Sequence, residues 1–286
     1  MPSVLFAGGG AVSAAAASSL PDSVRVGVAS RSPGGAVEVL HARRLRPPRT
    51  GRVRPIGYPE AAGGSWDLVV LSTRPSETDP SVLAFASDAA PIVATTSQVP
   101  GDLDILAATA STAIILAPAF LADATSRDPL RVTAWQPRRA LFSIAGDEAA
   151  VRAVTSMLPG TVTPTDERSI LASAARTMPF MAELVVHGGD WRALTRNLRR
   201  PARASAEAVG SVTDARSRRS SPALARAALA SATALAPFDL PAYAAGHFTR
   251  HAEQTLAMLD AWRALRPAVP TPALDALREA LAGAIE

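Results

Sequence analysis

Gly8, Gly9, Gly10 and Ser13 stand at a spacing that lets bare backbone approach a phosphate. An apolar run over residues 4–7 precedes them, and a small-residue segment over 14–19 reads as the helix that follows. A second apolar run over residues 24–29 reads as the next strand. This is the G-x-G-x-x-[G/A] fingerprint in its strand–turn–helix setting, with Ser13 at the third small position. The chemistry asks for no side chain at Gly8 and Gly10, so that the turn is tight and a pyrophosphate can come close. Amides of Gly9, Gly10, Ala11 and Val12 at the helix start then face that anion, assisted by the helix dipole. The alternative is a glycine-rich turn that binds nothing.

The residues closing the second strand carry further information. A dinucleotide with a ribose 2′-hydroxyl is held by an acid there, whereas a 2′-phosphate asks for a cation and no acid. The chain offers Ser30 and Arg31, with Arg43 and Arg44 further along. The expectation is an NADP(H) site.

These residues need elements to position them. The apolar run over 66–72 reads as a buried parallel strand, followed by Thr73-Arg74-Pro75-Ser76 and a helical pattern to Asp88. Residues 91–96 form the next strand, leading into Ser97-Gln98-Val99, and residues 113–116 another. Residues 132–135 and 141–144 read as an antiparallel pair around Gln136-Pro137-Arg138-Arg139, and a helix over 148–158 follows. Ligands of open α/β sheets bind beyond the carboxyl ends of the strands. Gly8 to Ser13, Ser30-Arg31, Ser72 to Arg74 and Ser97-Gln98 therefore converge on one crevice.

From about residue 165 the pattern becomes helical throughout. Helices are expected over 166–187 with Pro179 inside, over 190–213, 222–234 and 241–266, and over 272–285. The fold class is an α/β Rossmann-type NADP-binding domain over residues 1–164, followed by an all-helical domain over 165–286 for substrate or dimerisation. At 286 residues the chain has room for both, and its 48% hydrophobic content suits close-packed helices.

All 29 basic residues are arginine, for a net charge of +4. Clusters at Arg196, Arg199, Arg200 and Arg203, and at Arg216, Arg218 and Arg219, have no interleaved aromatics, so nucleic acid is not an expected partner. There is no cysteine, hence no disulfide or thiolate metal site. No run of about 18 apolar residues suggests a membrane span. The alanine-rich start lacks a basic leader and is interrupted by the fingerprint, so the chain reads as cytoplasmic.

With these residues in view, the chain resembles the ketopantoate reductases. The Gly8–Ser13 turn, the Ser30-Arg31 strand ending and the strand over 67–72 leading to Thr73-Arg74 are similar, the family tending to carry lysine near Arg74. Residues 243–250, with Gln254-Thr255, resemble members with a shorter helical domain. The resemblance implies an NADP(H)-dependent reductase, a small-molecule substrate and a homodimer. It also implies a lysine early in the helical domain that polarises the substrate carbonyl. This chain has no lysine anywhere, and Asn197 is its one asparagine. Ketopantoate is therefore not the expected substrate.

The remaining candidates must stabilise charge on a hydride acceptor. Gln98 is placed for an amide contact to nicotinamide or substrate. Arg176 can bind a carboxylate or oxyanion but is a poor proton donor; its alternative is an exposed helix arginine. Asn197 is the weaker polar candidate, equally readable as a surface residue. Arg74 is a candidate for cofactor phosphate or ribose. His247, His251 and Gln254 fall on one face of the expected helix. His247 is a candidate general acid, against a packing role. No third ligand supports a metal there. Leu256, Leu259, Trp262 and Leu265 read as core. Three functions remain open: an NADPH-dependent reductase of a C=O or C=N bond, suited to specialised metabolite biosynthesis; a redox-neutral cyclase or isomerase on the same fold; and a non-enzymatic NADPH-binding sensor.

Overall fold

The computed structural model describes residues 1–44, 46–127, 130–137, 140–213 and 221–286. Arg138 and Arg139 of the expected turn, and the cluster Arg216, Arg218 and Arg219, lie outside them. Two compact units result, Met1–Glu167 and Arg168–Glu286.

In the first unit, β1 (Ser3–Ala7), α1 (Ala11–Ala17) and β2 (Arg25–Ser30) come first, then β3 (Val37–His41), β4 (Arg49–Val53), β5 (Ile56–Gly57) and α2 (Tyr58–Ala62). They are followed by β6 (Leu68–Leu71), a 3₁₀ turn at Pro75–Glu77, α3 (Pro80–Ala89), β7 (Ile92–Thr95) and α4 (Asp102–Ala107). The unit finishes with β8 (Ala113–Pro118), β9 (Leu121–Arg127), β10 (Leu130–Trp135), β11 (Phe142–Gly146), α5 (Glu148–Met157) and β12 (Val162–Pro164). The main sheet has the order β12-β11-β8-β7-β6-β1-β2-β5. Its strands from β8 to β5 run parallel, and β11 is antiparallel to β8. The chain goes from β1 to β2 on one side and later returns to β6 on the other. A crevice therefore opens at the carboxyl ends of β1, β2 and β6, the switch point where such sheets take ligands. Continuous apolar runs built these strands: Val4, Leu5, Leu68, Val69, Val70 and Leu71 are all fully buried.

A second sheet, β4-β3-β10-β9, was not expected. It corrects the antiparallel pair read over 132–135 and 141–144. β10 belongs to this second sheet, parallel to β3 and antiparallel to β9, while β11 joins the main sheet. The alanines of α1 explain how both sheets share a core. Ala14–Ala17 pack with Val4, Phe6 and Val28 of the main sheet and with Val37, Val39, Val132 and Ala134 of the second. Methyl side chains let one helix be covered on two faces.

The second unit is helical: α6 (Glu167–Val186), α7 (Trp191–Arg196), α8 (Arg199–Thr213), α9 (Pro222–Leu235), α10 (Leu240–Arg250), α11 (Ala252–Leu265) and α12 (Pro272–Ile285). α6 is long and apolar enough to cross a membrane, yet most of it is buried. Its Phe180 and Leu184 pack with Leu194, Leu198, Ala202 and Ala244. A core helix that is apolar on several faces passes the same test of length and composition.

Two expected helices are each broken into two. The segment over 190–213 ends its first helix at Asn197, where φ −111° and ψ 44° leave the helical region. The segment over 241–266 breaks at His251, with φ −113° and ψ 28°. His247 and Gln254 thus sit on different helices, so the shared face expected of His247, His251 and Gln254 does not exist. Leu259 and Trp262 are fully buried as expected, whereas Leu265 is 44% exposed at the end of α11.

Candidate functional site

The glycine turn is anchored before it reaches any ligand. The Gly8 amide donates to the Ala29 carbonyl at 2.9 Å, tying the turn to β2. Gly8 has φ +123°, and a Cβ there would stand 2.2 Å from the Ser72 hydroxyl oxygen. That hydroxyl donates to the Ala7 carbonyl at 3.1 Å, so β1 and β6 close on the turn together. A Cβ on Gly9 would meet Ser30 Oγ at 2.8 Å, while one on Gly10 would meet nothing within 4 Å. Gly8 is demanded by the protein itself, a Cβ on Gly9 would displace the Ser30 hydroxyl, and Gly10 borders open space.

That space is a cleft of about 360 Å³, lined by Gly8, Gly9 and Gly10, by Ser30, Arg31 and Ser32, and by Ser72 and Thr73. The structure thus brings together the residues expected from the ends of β1, β2 and β6. Ala11, Val12 and Ser13 form the first turn of α1 behind it. Ser13 is fully buried, and its hydroxyl has no hydrogen-bond partner among the described residues.

Tyr58, Glu77, Thr78, Asp79 and Val82 complete the cleft, and sequence reading missed them. Tyr58 packs edge-on against Phe85, ring centroids 5.2 Å apart. Burial pushes its hydroxyl above the usual phenol pKa, with Arg31 acting in the opposite direction. Asp79 caps α3. One of its carboxylate oxygens accepts from the Ser81 amide at 2.9 Å and the Ser81 hydroxyl at 2.7 Å. Those bonds, with a smaller contribution from Arg31, hold its pKa below the usual carboxylate value. For Glu77, Thr78, Asp79 and Val82 the signal available in the sequence was position: they follow β6, the strand across the switch point, and Asp79-Pro80 is a helix start, whereas Tyr58 comes from α2, just after β5.

Arg74, expected at cofactor phosphate or ribose, does not line the cleft. Its Nε donates to buried Asp102 at 3.2 Å and its Nη1 to Glu77 at 2.6 Å. Ser97 also donates to Asp102, at 2.6 Å, and its amide donates to Thr95 Oγ1 at 3.0 Å. This network fixes the loop after β7 that carries Gln98, which is half-buried and outside the cleft lining.

In the helical unit Arg176 is exposed on α6, and its carbonyl accepts from Ser205 at 3.0 Å. Asn197 is exposed and donates its side-chain amide to the Ala193 carbonyl at 2.9 Å, capping its own helix. His247 is half-buried, stacked on Tyr243 at 5.3 Å with Phe248 and His251 at 5.0 and 4.8 Å. A buried ionic cluster went unforeseen: Glu183 accepts from Arg200 Nε at 2.7 Å and Nη2 at 3.0 Å, with His187 Nε2 3.1 Å away. Among the described residues no group of three or more His, Asp or Glu could hold a metal ion.

Neither a family model nor a curated protein matches the sequence. Solved structures do match the fold. A 2-dehydropantoate 2-reductase from Geobacter metallireducens superposes with a TM-score of 0.68 at 13% identity, covering 99% of both chains. The chain has the ketopantoate reductase fold. The same fold is shared with a dimeric ketopantoate reductase from Staphylococcus aureus, with a TM-score of 0.64, 12% identity and coverage of 98% of this chain and 99% of that one. Octopine dehydrogenase in complex with NADH and agmatine gives a TM-score of 0.62 at 13% identity, covering 100% of this chain and 90% of the other. Within the ketopantoate reductase fold, the cleft described above sits at the crossing of β1, β2 and β6.

Proposed function

We propose that the protein is an NADPH-dependent reductase acting on the C=O or C=N bond of a small molecule. The observation that carries this reading is the cleft at the switch point, where Gly10 leaves open space and Arg31 presents a cation. The residues present fit a dinucleotide. Bare backbone at Gly8–Gly10 suits a pyrophosphate, and Ser30, Arg31 and Ser32 offer hydroxyls and a guanidinium to a 2′-phosphate. The NADH in the octopine dehydrogenase structure supports a nicotinamide dinucleotide as the class of ligand, and the 2′-phosphate reading rests on Ser30, Arg31 and Ser32 alone.

When bound, the nicotinamide supplies hydride; the chain must orient the acceptor and return a proton. Ser72 and Thr73 close the cleft wall beside the glycine turn. Gln98, on its braced loop, is assigned an amide contact to nicotinamide or substrate. In the helical unit, Arg176 is kept as a candidate for holding an anion, because a guanidinium stays charged and is a poor proton donor. His247, in the same unit, is kept as the candidate general acid, because an imidazole is a side chain able to donate a proton near neutrality. Asn197 drops out of this assignment, its amide being spent on Ala193.

A second reading rests on the absence of lysine from the whole chain: a redox-neutral cyclase or isomerase that keeps the nucleotide cleft. Titration of the protein with NADPH and NADH, read by calorimetry and by quenching of its four tryptophans, tests the shared premise. NADPH is expected to bind at micromolar concentration and more tightly than NADH. No binding of either sinks both readings, and tighter NADH binding refutes the NADP(H) assignment. Binding without oxidation by any member of a carbonyl and imine panel favours the redox-neutral enzyme.

A further inference from the structure

The cleft contains an opposition that the end of β2 alone does not reveal. Arg31 is the one cation among its described lining residues, and two carboxylates, Glu77 and Asp79, face the same space from beyond β6. Glu77 is matched by Arg74 at 2.6 Å. Among the described residues, no cation stands at hydrogen-bond distance from Asp79. Its Oδ1 is taken by Ser81, and the residue lines the cleft and is exposed. Resting on the dinucleotide reading, we infer that Asp79 is a specificity-determining residue that works against Arg31, narrowing the cleft's preference for a 2′-phosphate over a 2′-hydroxyl.

The physical basis is the difference between the two riboses. A 2′-phosphate brings a second negative charge into a space already holding an ionised carboxylate, and like charges across a hydrated gap repel. A 2′-hydroxyl carries no charge and can donate to a carboxylate oxygen. Arg31 favours the first ligand and Asp79 the second. The Ser81 hydrogen bonds keep Asp79 ionised, so its repulsion acts across the neutral pH range.

The helix cap makes a clean test available. Asparagine and serine cap a helix nearly as well as aspartate, so Asp79→Asn and Asp79→Ser remove the charge while α3 keeps its start. Dissociation constants for NADPH, NADH, adenosine 2′,5′-bisphosphate and 5′-AMP are measured by calorimetry on wild type and both variants. Circular dichroism melts check the fold. Both variants are expected to bind NADPH and the bisphosphate about fivefold more tightly, with NADH and 5′-AMP unchanged or weaker. At high salt the gain should shrink. Unchanged ratios in both variants, with wild type binding both dinucleotides, overturn the role of Asp79 and leave the nucleotide site standing. Equal weakening of all four ligands also overturns it, showing a structural role alone. Failure of wild type to bind any of them overturns the site and the inference together.

Discussion

Replacing Gly8 and Gly10 by alanine, one at a time, separates what the turn does for the fold from what it does for a ligand. Gly8 has φ +123°, where an L side chain costs about 1–3 kcal/mol in backbone strain. Its new Cβ would lie 2.2 Å from Ser72 Oγ, which must move and give up its bond to the Ala7 carbonyl. That loss adds about 1 kcal/mol. The sum, about 2–4 kcal/mol, corresponds to a Tm lower by roughly 5–12 °C for a unit of this size. Gly10 differs on both counts. Its φ of −81° suits any residue, and a Cβ there touches nothing within 4 Å. Alanine at this helix start should cost at most about 1 kcal/mol. Its methyl nevertheless enters the cleft where a phosphate would rest, so NADPH affinity should fall at least about tenfold, or about 1.4 kcal/mol. Differential scanning fluorimetry and calorimetric titration read the two effects. A Gly8→Ala protein melting with wild type, or a Gly10→Ala protein binding NADPH as wild type does, would refute the reasoning.

Two further outcomes follow from charges away from the cleft. Glu183→Gln should cost about 2 kcal/mol, less than for a wholly buried pair because Arg200 keeps 33% exposure. The check is a lower denaturant midpoint at unchanged m-value. Glu167 shares an acidic hollow of about 690 Å³ with Asp104 and Asp147. Burial, then repulsion by Asp104, raises its pKa above the usual 4.5. A raised carboxyl pKa gives stability that is whole below the unfolded value and is lost as pH climbs through the folded one. Glu167→Gln should therefore match wild type near about pH 4 and exceed it by about 0.5 kcal/mol near about pH 7. A difference that does not change with pH would contradict this origin.

Much of the first unit was legible because burial on two faces writes itself as an apolar run. β1, β6 and β7 are such runs, and the glycines between β1 and α1 punctuate them. The second sheet was not legible. β3 and β4 carry Glu38, His41, Arg49 and Arg52 on strands with one covered face, and the other partner of β3, β10, is nearly a hundred residues away. Pairing over that distance is decided by packing on α1, which no local pattern records. The breaks at Asn197 and His251 lack a glycine or proline at the break itself, so periodicity ran through them. At the site, the ends of β1 and β2 were readable from spacing. The engagement of Arg74 by Asp102 and Glu77, and the arrival of Asp79 opposite Arg31, depend on how loops fold back.

The placement of α1 between two sheets means that the glycine turn has no slack. Its helix cannot slide or tilt without opening a seam on one side or the other, and Ser13 and Ala14–Ala17 leave no flexible side chain to absorb the movement. On the proposed function, a nucleotide arriving at Gly10 would meet a seat already set. The same rigidity runs outward: steadying the turn also steadies β3 and β10, strands with no residue in the cleft lining. Hydrogen exchange in the second sheet should slow when the cleft fills, making an otherwise silent part of the molecule a reporter of occupancy.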